Sequence, residues 1–337
     1  MLLGDIERIC RQGLDSRTLR ARIMSRLGRD VAYDAFCFGT IDPWTLLVTD
    51  DVSEGIPPGS AGLAAHNEYL VPDVDKFADL ARTGRAVGIL SRSTGGELDA
   101  SARFRTVLPI IEAQHELRAV FLAAGECWGG LSMFRRPDRP DFTPAEAALV
   151  RALSRPVAVA LRRACAHVVP RSSALPDPVS PGVLVLDGGG RTLYVSESAQ
   201  HWLAEIGTLA PYEVAAAARA GRGEEAYLRV RSRPGRWLSL WGSPLAGSPP
   251  GNTSVVIQPA PQSDLMAMLT AVHGLSTRER EILEQVIAGR SSTGIAASLT
   301  LSPLTVQDHL KSIFVKFGVN TRGQLVARAL GVEHPVT

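Results

Sequence analysis

The chain has 337 residues, 45% of them hydrophobic and 21% charged, with a formal net charge of only +2. This composition predicts a globular protein of two or three domains and excludes a disordered or uniformly basic chain. The sequence contains neither a secretory signal nor an apolar run of about eighteen residues, so we expect no membrane association.

Two proline-rich stretches predict the domain boundaries. One runs from Val168 to Pro181 and the other from Ser243 to Pro261, where a single strand-like segment interrupts it. Such stretches disfavour regular structure. We therefore predict domains at 1–166, 180–260 and 265–334.

The first domain combines helix and hairpin patterns. We predict a helix over 5–27, hairpins over 35–52 and 117–134, and a closing helix over 143–165 that Pro156 bends. Thr143 and Glu146 have the spacing of a capping box. The motifs Trp128-Gly129-Gly130-Leu131 and Asp141-Phe142-Thr143-Pro144 resemble those of GAF domains, which implies an α+β sensor fold.

The second domain has a strand-rich pattern with helices inserted after the second strand. We predict strands at 183–186, 192–195, 226–231, 237–240 and 253–257, and helices near 198–206 and 212–220. A hairpin turn is expected over 187–191. This order resembles a PAS domain, a second α+β sensor fold.

The last domain is predicted to be all-α, with four short helices between residues 275 and 330. Ser276 and Glu279 form a capping box, and Gly289 ends the helix that the box opens. After a second helix near 295–299, Ser302 is a predicted N-cap and Pro303 a first helical residue. Two helices joined by a turn of three or four residues form a helix-turn-helix, whose second helix enters the DNA major groove.

The third of these helices has two distinct faces. Its buried stripe is predicted to consist of Val306, Leu310, Ile313 and Phe317. The opposite face consists of Leu304, Gln307, Asp308, Lys311 and Val315. Gln can pair with adenine, Asp with cytosine, and Lys with guanine or phosphate. The alternative is that this face is simply the solvated side of a packed helix.

The last sixty residues resemble the LuxR-type DNA-binding domain of bacterial transcription regulators. The matching residues are Leu275, Thr277, Arg278, Glu279, Glu281, Ile295, Ala296, Leu299, Ser302, Thr305, Val306, His309, Leu310, Ile313, Lys316, Gly318, Val319 and Arg322. A basic residue often follows the Thr-Val pair in that family, whereas Gln307-Asp308 follows it here, which leaves the base preference open. The resemblance implies that the fourth helix, from about 321 to 330, forms a dimer contact through Leu325, Val326 or Ala329.

The predicted DNA contacts divide into two groups. Phosphate contacts that fix the register are assigned to Arg290, Ser302, Thr305, Lys316 and Arg322, and base contacts to Gln307, Asp308 and Lys311. The segment from Gln285 to Leu330 contains five basic residues and one acidic residue, which gives a local charge of +4. That modest excess predicts ordinary affinity that needs two half-sites and weakens with salt.

Catalytic patterns are missing from the sequence. It has no helical zinc-site spacing, P-loop or nucleophile elbow, so we expect no enzyme activity, cofactor or metal. The sequence has four cysteines without a CxxC spacing, Cys10, Cys37, Cys127 and Cys165. We therefore expect reduced thiols in a cytoplasmic protein. A phosphoacceptor response regulator would need a doubly wound domain, which the hairpin patterns contradict, and the lactone-binding domain of quorum-sensing relatives would need an aromatic pattern that is not evident.

The sequence therefore predicts two α+β sensor domains followed by an all-α four-helix DNA-binding domain. The expected partners are double-stranded DNA, a second copy of the chain in a homodimer, and a small-molecule effector of the sensor domains. The alternative is a GAF-linked signalling enzyme or an interaction scaffold whose helical module binds no DNA.

Overall fold

The computed structural model describes residues 1–165, 180–207, 209–221 and 225–330. The chain divides into an N-terminal unit, Met1–Ala164 with Val169–Pro259, and a C-terminal unit from Ala260. Most of the predicted linker over 168–181 and the predicted domain end at 334 lie outside the described residues. Among those residues, no helix is both long and apolar enough to cross a bilayer.

The first half of the N-terminal unit is an antiparallel sheet with helices on both faces. Its helices are α1 Leu2–Cys10, α2 Ser16–Leu27, α3 Ala61–Leu70, α4 Phe77–Thr83, α5 Leu90–Ser93, α6 Ala102–Thr106, α7 Pro144–Ala152 and α8 Ser154–Ala164, with 3₁₀ turns at Leu98–Ala100 and Leu108–Ile111. Its strands are β1 Ala35–Ile41, β2 Val48–Glu54, β3 Val87–Ile89, β4 His115–Ala123 and β5 Glu126–Arg135. The sheet order is β2-β1-β5-β4-β3, and both predicted hairpins are present.

Two helices that the sequence predicted as continuous are each broken into two. The first ends at Cys10, since Gly13 has a positive φ of 64° and Asp15 caps α2 by accepting from the amides of Arg17 and Thr18. The last helix stops at Ala152 and restarts as α8, with Pro156 in its first turn, where a missing N–H is tolerated.

The paired glycines of the first domain's motif allow both faces of the sheet to be covered closely. A Cβ on Gly129 would lie 2.6 Å from Leu161 Cδ1 of α8, and one on Gly130 would lie 2.9 Å from the Phe77 ring of α4. Any larger residue at either position would push a helix away from the sheet. The motif is therefore explained by packing on β5.

The second half of the N-terminal unit repeats the strand order of the first. Its strands are β6 Gly182–Leu186, β7 Thr192–Val195, β8 Ala226–Arg231, β9 Trp237–Pro244 and β10 Thr253–Pro259, and its helices are α9 Glu197–Ile206 and α10 Leu209–Ala220. The sheet order is β7-β6-β10-β9-β8. When the five strands of this half are counted from its own first strand, this is the same order as in the first sheet. The core between sheet and helices includes the fully buried Trp202.

The two sheets share buried contacts, although the sequence predicted separate domains. Leu47, in the β1–β2 loop, is 5% exposed and belongs to the hydrophobic core of the second sheet. Asp42 of the same loop accepts from both the backbone N (3.1 Å) and Nε (3.2 Å) of Arg229 on β8. Tyr69 on α3 donates to Glu213 on α10, where burial raises the pKa of Glu213 to about 8 against the effect of that bond.

The C-terminal unit is entirely helical within its described residues. Its helices are α11 Gln262–His273, α12 Thr277–Ile287, α13 Ser292–Leu299, α14 Pro303–Phe317 and α15 Arg322–Leu330. The prediction of α+β domains followed by an all-α unit is thus confirmed. The helix α11 was not predicted.

Candidate nucleic-acid interface

Helices α13 and α14 are joined by a turn of three residues. Thr300 ends α13 in the left-handed conformation, with φ 55°, and the amide of Leu301 donates to the carbonyl of Ala296 at 2.9 Å. Ser302 then caps α14, its Oγ accepting from the amide of Thr305 at 3.0 Å, and Pro303 is the first helical residue. The predicted turn and caps are confirmed, and the arrangement is that of a helix-turn-helix.

One face of α14 is fixed in the core of the C-terminal unit. The side chains of Val306, Leu310, Ile313 and Phe317 are 0%, 7%, 0% and 2% exposed. They pack against Ile282, Leu283 and Val286 of α12 and Ile295 of α13 in the same cluster. This packing fixes the rotational orientation of α14 about its axis. The predicted buried stripe is confirmed.

The opposite face of α14 is open to solvent. Gln307, Asp308 and Lys311 are exposed, and an ion pair joins Lys311 Nζ to Asp308 Oδ1 at 3.2 Å. Leu304 and Val315 on the same face are 67% and 82% exposed. Large apolar side chains at such exposure can contact the methyl groups of thymine, a role that the sequence analysis did not assign.

Lys316, which was predicted to contact phosphate, is engaged inside the unit. Its Nζ donates to Glu279 Oε2 at 2.6 Å and to the carbonyl of Gly274 at 3.0 Å. The carboxylate of Glu279 also accepts from Ser312 Oγ at 2.6 Å and completes the capping box on the amide of Ser276. Lys316 thus ties α14 to the start of α12, and a phosphate contact would require breaking this pair.

The charge on Glu279 gives the C-terminal unit a defined pH dependence. Partial burial raises the pKa of Glu279, but hydrogen bonds from Lys316, Ser312 and Ser276 outweigh it and lower the pKa to about 2. A carboxyl group with a lowered folded-state pKa stabilises the fold above its unfolded pKa, here 4.5, and loses that contribution as the pH falls toward 2.

Glu279→Gln is therefore expected to lower the free energy of unfolding of this unit by about 1–3 kcal/mol at pH 7 and by much less at pH 2.5. All five tryptophans precede residue 242. Urea unfolding followed by circular dichroism, with tryptophan fluorescence identifying the N-terminal unit, isolates the relevant transition. A deficit of equal size at both pH values would contradict the assigned ionisation.

The remaining predicted phosphate contacts have different environments. Arg290 is exposed, and its carbonyl accepts from the guanidinium of Arg322, so Arg322 braces the segment before α13. The hydroxyls of Ser302 and Thr305 lie 2.8 Å apart at the N-terminus of α14, where positive helix-dipole charge favours a phosphate.

Two of the three residues predicted for a dimer contact are in the core of their own unit. Leu325 and Ala329 are 0% and 3% exposed and pack in the cluster that holds α14. Val326 is half-buried. The family resemblance suggested an intermolecular contact at these positions, but Leu325 and Ala329 pack inside their own unit, and of the three residues only Val326 is open to a partner.

The helix α11 contributes to this core and was missed. Met266 and Leu269 are 7% and 8% exposed in the same cluster, and the ring of His273 stacks on Phe317 at 3.8 Å between centroids. The spacing of Met266, Leu269 and Val272 was a signal that could have located it.

Comparison with known proteins places residues 273–329 in the family described as bacterial regulatory proteins, luxR family. The probable transcriptional regulatory protein NarL of Mycobacterium tuberculosis is 43% identical over 56 residues, 17% of this chain and 26% of that protein. The spore germination protein GerE of Bacillus subtilis is 36% identical over 56 residues, 17% of this chain and 76% of that protein. The match thus spans about a quarter of the first relative's length.

Among solved structures, Escherichia coli SdiA aligns over 98% of this chain and 96% of its own, at 12% identity and a TM-score of 0.38. The matches to the family and to the regulatory relatives lie in the C-terminal unit. The assignment therefore depends on the C-terminal unit alone.

Proposed function

Because this chain belongs to the luxR family of bacterial regulatory proteins, we propose that it is a sequence-specific, DNA-binding transcription regulator. The observation that carries this function is the open face of α14, where Gln307, Asp308 and Lys311 are exposed while the other face is fixed in the core. A helix held in this way, as the second of a helix-turn-helix, can lie in the major groove with its polar side chains against base edges.

The base contacts come from the middle of α14. Lys311 is 73% and Asp308 64% exposed, so neither loses much solvation before DNA arrives. Lys311 can donate to guanine, and Asp308 can accept from the exocyclic amine of cytosine. A carboxylate facing the duplex is repelled by phosphate unless a cytosine amine or Lys311 compensates it, so Asp308 contributes discrimination more than affinity.

The phosphate contacts come from the ends of the helices. Ser302 and Thr305 at the N-terminus of α14, together with the exposed Arg290, are suited to the backbone of the duplex. Lys316 and Arg322 support these elements from within the unit. Few direct phosphate contacts predict weak binding by one copy and a strong dependence on a second half-site.

We propose that two copies bind half-sites about one helical turn apart, roughly 34 Å between centres. Val326 on α15 is the candidate for a contact between copies, since it is half-buried whereas Leu325 and Ala329 are internal. The protein would act in the cytoplasm, where bacterial DNA is located, with a small-molecule effector of the N-terminal unit favouring one arrangement of the dimer.

Lys311→Ala is the variant that tests the docking face. We expect it to weaken binding to a selected duplex by about 10–100-fold at fixed salt, because a bidentate contact to a base contributes about 1–3 kcal/mol. Fluorescence anisotropy with labelled duplex measures the change.

Arg82→Ala is a matched control, since Arg82 forms an exposed pair with Asp79 at the same three-residue spacing in α4. It removes one cation from the N-terminal unit and should leave affinity within about twofold. If the two variants lost affinity equally, or Lys311→Ala lost none, α14 would not face the duplex as proposed.

A further inference from the structure

An open groove between α1 and α8 in the N-terminal unit has a volume of about 340 Å³. This volume lies at the lower end of the range found for small-molecule sites. Pro156, Val159 and Ala160 of α8 form its apolar wall. Because Val159 and Ala160 come three and four residues after Pro156, all three residues lie on one side of the helix.

Arginines surround this apolar wall. Arg155 and Arg163 lie at its two ends on α8, and eight residues of helix separate them by about 12 Å. Arg11, just after α1, approaches from the other side. The groove therefore has an apolar strip in the middle and guanidinium groups at its edges.

The positive charge of the groove is poorly compensated. Glu7 is the acid of its lining, and its ion pair with Arg11 is long, 3.8 Å between Oε2 and Nη2, with side chains that are 43% and 71% exposed. Within the part of the chain that the structure describes, neither Arg155 nor Arg163 has an ion-pair partner. Like charges around a concave surface repel one another, and a bound anion would relieve that repulsion.

The arginines inside the first sheet differ in this respect. Arg118 donates to Glu68 at 2.9 Å with both side chains no more than 10% exposed, and its guanidinium lies 3.7 Å from the centre of the Phe77 ring. Arg103 is paired with Glu116 at 2.7 Å in the same region. Side chains thus fill and neutralise that face of the sheet, whereas the groove is open and cationic.

The remaining wall residue, Cys10, does not supply reactive chemistry. Burial and the charge of Glu7 together raise the pKa of the Cys10 thiol to about 11, against the lowering effect of the Arg11 charge. The thiol is therefore neutral near pH 7 and unsuited to nucleophilic attack. The groove is equipped for reversible binding.

We propose that the groove between α1 and α8 binds a small organic anion, a carboxylate or sulfonate head on a compact apolar body. The head pairs with a guanidinium, which holds carboxylates by two parallel hydrogen bonds. The body packs on Pro156, Val159 and Ala160. This site lies beyond the DNA-binding function, and its occupancy is measurable without DNA.

The test titrates the full chain with anilinonaphthalene sulfonate, a fluorescent anion with an aromatic body. Saturable binding is expected, displaced by naphthoate and not by naphthalene methanol, which has the same body without the charge. The double variant Arg155→Ala/Arg163→Ala should weaken binding about tenfold or more, as should Arg11→Ala on the opposite wall. Arg151→Ala, an exposed arginine of α7 outside the lining, is the matched control and should bind as the unaltered chain does.

Equal displacement by the neutral compound, or unchanged binding by the arginine variants, would overturn the proposal. So would a change in oligomeric state of those variants in sedimentation, since it would show that the groove is covered by a second copy. DNA binding by the same preparations is assayed separately, so failure of one function is distinguishable from failure of the other.

Discussion

Replacing Phe317 with alanine is expected to unfold much of the C-terminal unit and to abolish DNA binding with it. Phe317 is 2% exposed, and its ring stacks on His273 of α11 while its helix carries the proposed DNA-binding face. Removal of a buried aromatic ring costs about 3–5 kcal/mol. Because a unit of roughly seventy residues has only about 4–10 kcal/mol of stability, the loss is a large part of the total.

Hydrogen–deuterium exchange of the full chain measures this loss by segment. Amides of α12–α14 should exchange about a hundredfold faster or more, while those of β1–β5 keep their protection. In Phe317→Leu, which keeps most of the apolar volume, the exchange rates of these amides should lie between those of the unaltered chain and those of Phe317→Ala. Unchanged protection of α12 and α13 in the alanine variant would show that the ring is not part of a shared core.

Arg229→Ala is expected to destabilise the N-terminal unit by about 3–5 kcal/mol. Its guanidinium pairs with Asp42, whose side chain is fully buried, at the contact between the two sheets. Loss of the arginine leaves a carboxylate in a site that water cannot easily reach. The β1–β2 loop would then no longer dock stably on the second sheet.

Arg191→Ala is the matched control, because Arg191 Nε lies 3.1 Å from Asp187 in an exposed pair and Arg229 Nε lies 3.2 Å from Asp42 in a buried one. The exposed pair should contribute at most about 1 kcal/mol. Urea unfolding followed by tryptophan fluorescence measures the free energy of unfolding of the two variants, Arg229→Ala and Arg191→Ala. Adding Asp42→Asn to Arg229→Ala should restore part of the loss, and equal effects of the two single variants would show that burial of Asp42 is not what matters.

Local signals in the sequence were sufficient for the helix-turn-helix. The caps at Ser276 and Ser302, the proline at 303 and the stripe from Val306 to Phe317 each depend on residues within one or two helical turns. Hairpins around Asp42 and Gly125 were equally local. Such features are predictable because the residues that determine them are neighbours in the chain.

Long-range contacts were not predictable from the sequence. Lys316 was available for phosphate by its position on α14, and only the structure shows Glu279, 37 residues earlier, within 2.6 Å of it. Leu325 has the same apolar character whether it meets a second copy or its own core. Likewise, Leu47 in a loop gives no sign that it completes the core of the other sheet.

The α1–α8 groove was also beyond prediction. Arg11 is about 150 residues away from Arg155 and Arg163 in the sequence, and many surface arginines occur elsewhere in the chain. What distinguishes these is that they converge on one apolar strip. Such convergence is a property of the folded chain.

Selection from a pool of random double-stranded DNA by the purified full chain tests whether the exposed face of α14 reads a specific DNA sequence. We expect enrichment of paired half-sites about one helical turn apart, loss of that enrichment with Gln307→Ala/Lys311→Ala, and its retention with Arg82→Ala. Recovery of unenriched DNA by the unaltered chain, or the same enriched sequences with the α14 double variant, would contradict this expectation.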